Sequence, residues 1–405
     1  MDGQLKVAVV GGGAAGFFAA LSAAEHHPSA QVVLFEKTAK LLSKVKISGG
    51  GRCNVTHACF SPAQLSKHYP RGGKHLKKAF STFQAADTVA WFEARGVKLK
   101  TEEDGRMFPT TDDSQTIVDC LTRESERLGV DVRLQSPVRS VEPLPEGGLT
   151  LNGERFDRVV VATGGSPKLA GLQWLVDLGH TVSAPVPSLF TFNMPDDPVT
   201  DLMGVVVSDA LVRIQGTKLA HQGPVLITHW GMSGPGILKL SAWGARELAD
   251  RDYTFQAQIN WLGLPNESEV DALLDDALPA IRKKKVANAC PFELPKKFWA
   301  HLLHKAGLDP DMPWHDVGKK ARNKLLNTLL NDVYAVRGKT TFKEEFVTCG
   351  GVTLGEVDFR TMESRIVPGL HFAGEVIDVD GVTGGFNFQA AWTTGFLAGR
   401  AGLIL

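Results

Sequence analysis

The sequence predicts an α/β protein in which one parallel-sheet domain is assembled from both ends of the chain and interrupted by a β-rich insertion. Three observations predict it. An apolar run followed by a glycine turn opens the chain, as LKVAVVGGGAAG. A second apolar run in mid-chain, FDRVVVATGGSP, ends on Ala-Thr-Gly-Gly. A third, near the C-terminus, passes through Gly374-Glu375 and a loop of glycines and acids into a helix from about Phe388. Continuous apolar runs of this length suit strands buried on both faces, as in a parallel sheet.

The first element is a strand at Leu5–Val10. Gly11-x-Gly13-x-x-Gly16 follows directly, then a helix of small residues, then a second strand at Gln31–Phe35 ending at Glu36. Gly11 makes the tight turn, Gly13 lets backbone N–H groups approach a pyrophosphate, and Gly16 lets helix and strand pack closely. Ala14 and Ala15 open the helix, whose N-terminus faces the phosphate. Glu36, with Lys37 beside it, is placed to accept from ribose hydroxyls. Strand, turn, helix, second strand and acid all fall in place, so the unit reads as an adenine-dinucleotide site. The later segments point to FAD. A mid-chain strand ending at Ala162-Thr163-Gly164 and a late strand–Gly–acid–helix make up the layout of FAD-binding folds of the glutathione-reductase type. Glu375 and Asp380 are the late acids expected at the ribityl chain. The helix that follows Gly385-Phe386-Asn387 is expected to aim its N-terminus at the flavin edge where negative charge develops, worth about 0.3–1 kcal/mol.

VKISGGGRCNVT (Val45 to Thr56) does not read as ordinary structure. Three successive glycines lose too much backbone entropy to sit in a helix or strand without a reason. Further on, Ala79–Gly96 has helical spacing with a glycine stop. A strand, a turn holding Arg106-Met107-Phe108-Pro109, a helix after Asp112 or Asp113 and another strand come next. Runs near Pro137–Glu142 and Leu149–Leu151, with EGG between them, read as a hairpin. From about Ser188 the character changes to short strands with turn signals, an antiparallel sheet or barrel. GPGILKLSAWGARELA is a helix inside it, and Glu267 to about Leu330 is helical.

The 405 residues allow two or three domains at roughly 100–200 residues each. Lys and Arg balance Asp and Glu at 44 each, so no global charge steers the chain toward nucleic acid or membrane. Nucleic acid is therefore not an expected partner, and a small-molecule substrate is. The five cysteines are widely spaced with no CxxC, which fits a reduced, cytoplasmic setting. The N-terminus starts a fold at once, so no signal peptide is expected. The longest apolar stretch is too short to span a bilayer. His301 and His304 lack a carboxylate or Cys partner in the pattern, so no metal is expected. Arg282 to Lys324 holds eleven Lys/Arg against four Asp/Glu. Such a run is either a set of solvated helix faces or a binder of phosphate, NADPH or RNA. GMSGP (Gly231–Pro235) imitates a nucleophile elbow but ends on Pro235 instead of glycine. His229, in THWG, is the better candidate for substrate chemistry, because an imidazole supplies a proton near neutral pH. Arg106 is the second catalytic candidate.

GGGRCNVT, DGRMFP, THWGMSGPGILKLS, CGGVTLGEVDFRTMES and GLHFAGEVIDVDGVTGGFNFQAAWTTG together resemble the HI0933-like flavoproteins, the BaiN/RdsA-type NAD(P)/FAD-dependent oxidoreductases. The resemblance spans nearly the whole chain. It implies a FAD-binding domain over 1–187 and 345–405, and an inserted domain over 188–344. The insertion is barrel-like over 188–264 and helical over 265–330. It also implies that Ser48, Gly49, Gly50, Arg52 and Asn54 run along the FAD. Arg52 offers a fixed fork of donors for phosphate or flavin carbonyls. Cys53 lies in the same loop, where a lone cysteine is either redox-active or, more often, a small packed residue. Two departures stand out. His57 replaces the asparagine that often follows RCNVT, and the loop after the ATG strand is short. Members of the family reduce steroid-like enones or oxidise aminoacetone. The expected activity is NAD(P)H-linked reduction of an activated C=C or C=O, with NADH or NADPH binding transiently. The alternatives are a flavin oxidase acting on a small amine with O₂, and an RNA-associated protein with structural FAD. The oligomeric state is not readable.

Overall fold

The computed structural model describes residues 4–341 and 347–401. The expected return to the first domain at residue 345 lies outside the described residues. The chain divides into two compact units, Met1–Ser188 with Lys343–Leu405, and Leu189–Phe342.

The first unit is built on five parallel strands: β1 (Lys6–Val10), β2 (Gln31–Phe35), β3 (Asp131–Arg133), β4 (Arg158–Val161) and β5 (Leu370–Phe372). Their order in the sheet is β5-β4-β1-β2-β3, with Val357–Asp358 and Glu363–Ser364 added antiparallel beyond β5. Register is regular, with Val9 opposite Leu34 on one side and Val160 on the other. These strands do not alternate between buried and exposed side chains, because both faces of the sheet are covered. Ala8, Val9, Val33, Leu34 and Val161 are all fully buried. Two helices pack against each other on this sheet, α1 (Ala14–His26) and α2 (Phe386–Arg400). Gly395 and Gly399 of α2, one turn apart, set their approach. A Cβ on Gly395 would lie 2.5 Å from the Ala15 carbonyl oxygen, and one on Gly399 would lie 2.1 Å from that of Ala19.

Several elements differ from expectation. The single helix expected over Ala79–Gly96 is two, Gly73–Phe80 and Ala85–Glu93. The break is at Gln84, whose N–H is capped by the Asp87 carboxylate at 2.8 Å. The hairpin near 137–151 gains a third strand and comprises Val141–Pro143, Leu149–Leu151 and Glu154–Phe156. The last helix begins at Phe386, two residues earlier than expected.

The second unit carries a seven-stranded antiparallel sheet. Its central strands are Val206–Ile214, Ala220–Thr228 and Thr254–Asn260. Pro235–Trp243 and Ala245–Ala249 are separate helices divided at Gly244. Helices Glu267–Ile281, Lys296–Ala306 and Lys319–Leu330 form the helical part. One core joins sheet and helices: Phe192, Val212 and Ile227 of the sheet pack in the same cluster as Trp261, Trp299, Leu302 and Leu325. Burial of each such side chain contributes about 1.5–3 kcal/mol.

Candidate functional site

The glycine turn after β1 has two kinds of glycine. Gly11 lies at φ +116°, and a Cβ there would sit 2.4 Å from the Ala162 carbonyl oxygen. A Cβ on Gly16 would sit 1.8 Å from the carbonyl oxygen of Gly11. These two are glycine because backbone occupies the space. Gly13 is different: a Cβ there would meet nothing within 4 Å. It is the N-cap of α1, with no side-chain cap. The first N–H groups of α1, at Ala14, Ala15 and Gly16, lack intrahelical acceptors. Glu36 holds the rim. Its carboxylate accepts from the Gly12 N–H at 2.9 Å and from the Thr38 N–H at 2.8 Å. Lys37 is exposed beside it.

A second uncapped terminus lies at α2. Its N-cap, Gly385, sits at φ +90° with no side-chain cap. A Cβ there would approach the Thr56 carbonyl to 2.6 Å. The glycine segment after Ser43 is the partner of this terminus. After one helical turn it breaks at Ser48 (ψ 150°), and Gly49, Gly50 and Gly51 all take positive φ. Gly50 and Gly51 face open space. The Asn54 amide, oriented to satisfy both ends, donates to the Thr56 carbonyl at 2.9 Å and accepts from the Gly385 N–H at 3.0 Å. Asn387 closes the preceding loop, accepting from the Gly381 N–H at 2.8 Å and donating to its carbonyl at 2.9 Å. The buried Phe386 ring stacks near the imidazoles of His57 (4.7 Å between ring centroids) and His68 (4.2 Å).

The ends of β4 and β5 complete the arrangement. Thr163 is exposed, and Gly164 has positive φ with Glu375 as its nearest neighbour. The Gly374 N–H donates to Thr394 Oγ1 at 2.9 Å, and a Cβ on Gly374 would strike Ala15. Glu375 accepts from Lys44 Nζ at 2.7 Å and from the Thr348 N–H at 3.3 Å. The structure thus brings residues 11–16, 48–54, 162–164 and 374–387 to one end of the sheet. Brought together there are Gly11, Gly13, Ala14, Ala15, Gly16, Ser48, Gly49, Gly50, Asn54, Ala162, Thr163, Gly164, Gly374, Glu375, Gly385 and Asn387.

Four expected site residues are placed differently. Asp380 has no exposed surface. Its carboxylate accepts from Arg71 Nε at 2.5 Å and from Ser188 Oγ at 2.8 Å. A carboxylate sealed off in the protein alone has no face for a ribityl chain. Cys53 is also fully buried, at φ +60°, and burial pushes its thiol up to about 12. It is a packed residue, since the reactive form is the thiolate. Arg52 does not point its fork at the glycine segment. Its Nη1 pairs with Glu102 at 2.6 Å, and the guanidinium lies 4.0 Å from the centre of the Phe108 ring. Arg106 sits in the same cluster, on Glu102 (2.8 Å) and Asp104 (2.7 Å), in the strand pair Leu99–Thr101 and Arg106–Pro109. Its donors stabilise that hairpin.

His229 belongs to the second unit. It is exposed in the turn between Ala220–Thr228 and Gly231–Ser233, its ring 4.2 Å from that of Trp230. Sequence reasoning missed Lys44, Arg71 and Thr348. Lys44 and Arg71 act across large gaps in the chain, 331 residues to Glu375 and 309 to Asp380, Thr348 reaches Glu375 over 27, and no local pattern signals such pairings. Among the described residues no group of three His, Cys, Asp or Glu could hold a metal ion. No helix among them is long and apolar enough to cross a membrane.

The residues present fit a FAD. Two uncapped helix termini, the open space over Gly13, and the exposed backbone at Gly50 and Thr163 form a cradle along one sheet end. Comparison with known proteins agrees. The family model described as HI0933-like protein Rossmann domain matches residues 5–401. The chain is 27% identical to the 3-dehydro-bile acid delta(4,6)-reductase of Clostridium scindens, covering 98% of each chain. It is 31% identical to the ribosomal RNA dihydrouridine synthase of Escherichia coli, covering 95% of each. Among solved structures, the 3-ketosteroid delta1-dehydrogenase of Sterolibacterium denitrificans aligns with a TM-score of 0.50 at 13% identity, covering 97% of this chain and 98% of that one. That likeness shows the fold.

Proposed function

The chain belongs to the HI0933-like family, and from that premise we propose that this FAD-dependent oxidoreductase reduces a carbon–carbon double bond conjugated to a carbonyl, with NADH or NADPH as electron source. The observation that carries the reading is the near full-length kinship with two relatives whose names share one chemistry. A 3-dehydro steroid with a 4-ene and a uracil ring each hold a C=C next to a C=O. FAD held there would supply the two-electron chemistry that joins oxidation of NAD(P)H to saturation of the conjugated bond, with one proton taken from the medium.

The chain's own residues bind and orient. The α1 terminus at Gly13 would hold the pyrophosphate, favoured by N–H groups and dipole together. Glu36, fixed by two backbone donors, would accept from the ribose. The backbone of 48–51 and 163–164 would line the ribityl chain and ring, with Glu375 held beside them by Lys44. The α2 terminus at Gly385 would face the ring edge that gains negative charge. The test is anaerobic. NADH or NADPH is added to the yellow protein, then a steroid 4-en-3-one or a uridine-containing RNA is added to the bleached sample. The expected result is bleaching by one nicotinamide and recovery of absorbance matched by loss of the double bond. Failure of both nicotinamides to bleach the flavin would overturn the proposal, as would recovery with O₂ alone.

A further inference from the structure

We propose that the exposed lysines on helix Lys319–Leu330 form a docking surface for the phosphodiester backbone of RNA; this rests on the reductase reading, with a uracil as the conjugated ring. Lys319, Lys320, Asn323, Lys324 and Asn327 line one shallow surface pocket of ≈ 590 Å³. Their spacing of one, four, five and eight residues puts them on one helix face. The opposite face holds Leu325, Leu326, Leu329 and Leu330, all buried, so the basic face cannot turn inward.

The lysines are there at a cost to the helix. Lys319 and Lys320 occupy the first turn, where the N-terminal end of the dipole repels cations, and Gly318 provides no side-chain cap. Three other cations of the same region are neutralised. Arg322 pairs with Asp271 and Asp275 at 2.6 Å each, Lys285 with Asp311 at 2.8 Å, and Lys305 with Asp332 at 2.5 Å. No carboxylate among the described residues pairs with Lys319, Lys320 or Lys324. A positive surface is left, with two amides between and beyond the lysines. That composition suits a polyanion. Lysines neutralise phosphates, amides donate to phosphate or 2′-hydroxyl oxygens, and neither reads sequence. The lining includes no exposed apolar side chain to insert between lipids, as a membrane-surface helix requires. A zero net charge over the whole chain conceals this local field.

The test compares the full-length flavin-loaded protein with its K319E/K320E/K324E variant. Binding of a synthetic uridine-containing RNA hairpin is followed by fluorescence anisotropy across a salt series. The variant is expected to bind at least about tenfold more weakly at low salt and to lose about two to three from the slope of log K against log salt, near 0.7–0.9 per phosphate contact. Its melting temperature should hold or rise, because carboxylates in a first helical turn favour the helix. Unchanged affinity and slope would overturn the proposal. So would absence of salt-dependent RNA binding by the parent protein, or lysine-dependent binding of phosphatidylserine vesicles in place of RNA. Bleaching of the flavin by NADH or NADPH under anaerobic conditions reads the reductase proposal separately. RNA binding lost in the variant, with no bleaching by either nicotinamide in either protein, upholds the surface and sinks the reductase. Bleaching with unaltered RNA binding does the reverse.

Discussion

Gly13 and Gly16 stand in one turn and answer to opposite constraints. Gly16 is fixed by backbone, 1.8 Å from a Cβ to the Gly11 carbonyl, whereas Gly13 opens on empty space at an ordinary φ of −94°. Gly16→Ala should therefore destabilise the apoprotein by about 1–3 kcal/mol in a urea melt, as overpacking does. Gly13→Ala should leave the apoprotein melting temperature within about 2 °C, yet weaken FAD about tenfold or more, a loss of roughly 1.4 kcal/mol. Equal FAD affinity in Gly13→Ala would show that no pyrophosphate uses that space. Asp380 gives the converse case. Arg71→Ala leaves its carboxylate buried without its cation, and breaking a buried pair in this way costs roughly 3–5 kcal/mol. A variant that kept its stability and lost only FAD would return Asp380 to the cofactor.

At the scale of elements, the α1–α2 contact governs whether the two uncapped termini stay together. Gly399 places α2 against the Ala19 carbonyl. Gly399→Leu should force the helices apart, lower stability by about 1–3 kcal/mol and release FAD, measured as free flavin after gel filtration. Retention of yellow colour with an unchanged melt would mean the contact is dispensable. These elements were legible wherever a local pattern carries them. β2 matches its predicted span because a buried parallel strand is a bare apolar run. The glycine turn was legible because its spacing is mechanical. The glycine segment at 49–51 was legible as irregular but not as to what holds it: Asn54 reaches Gly385 across most of the chain. Arg52 was misplaced for the same reason. A residue type suited to phosphate is equally suited to Glu102 and Phe108, and only the fold decides which it meets. The helix break at Gln84 was missed because apolar spacing continues across it while Asp87 caps the second helix.

At the scale of the whole chain, balanced charge suggests little sensitivity to pH, but the distribution of buried imidazoles argues otherwise. His180 and His371 are 2% and 1% exposed, and burial lowers both from their ordinary value. Both stay neutral in the fold: His180 Nε2 lies 2.8 Å from Ser364 Oγ, and His371 Nδ1 lies 3.1 Å from the Thr361 carbonyl oxygen. The unfolded chain takes up a proton at each below about pH 6.5, where the folded chain resists it. More protons on the unfolded side means stability falls as pH falls. The stabilisation is full above about pH 6.5 and is lost progressively below it, ahead of the carboxylates, which titrate near pH 4. The melting temperature of the apoprotein should therefore decline steadily between about pH 6.5 and pH 5. His180→Gln keeps a partner for Ser364 and removes one titrating group, so its decline should be shallower than that of the parent. A flat profile in the parent over this window, or identical slopes in the two proteins, would place the imidazoles in contact with water and contradict the packing around β5.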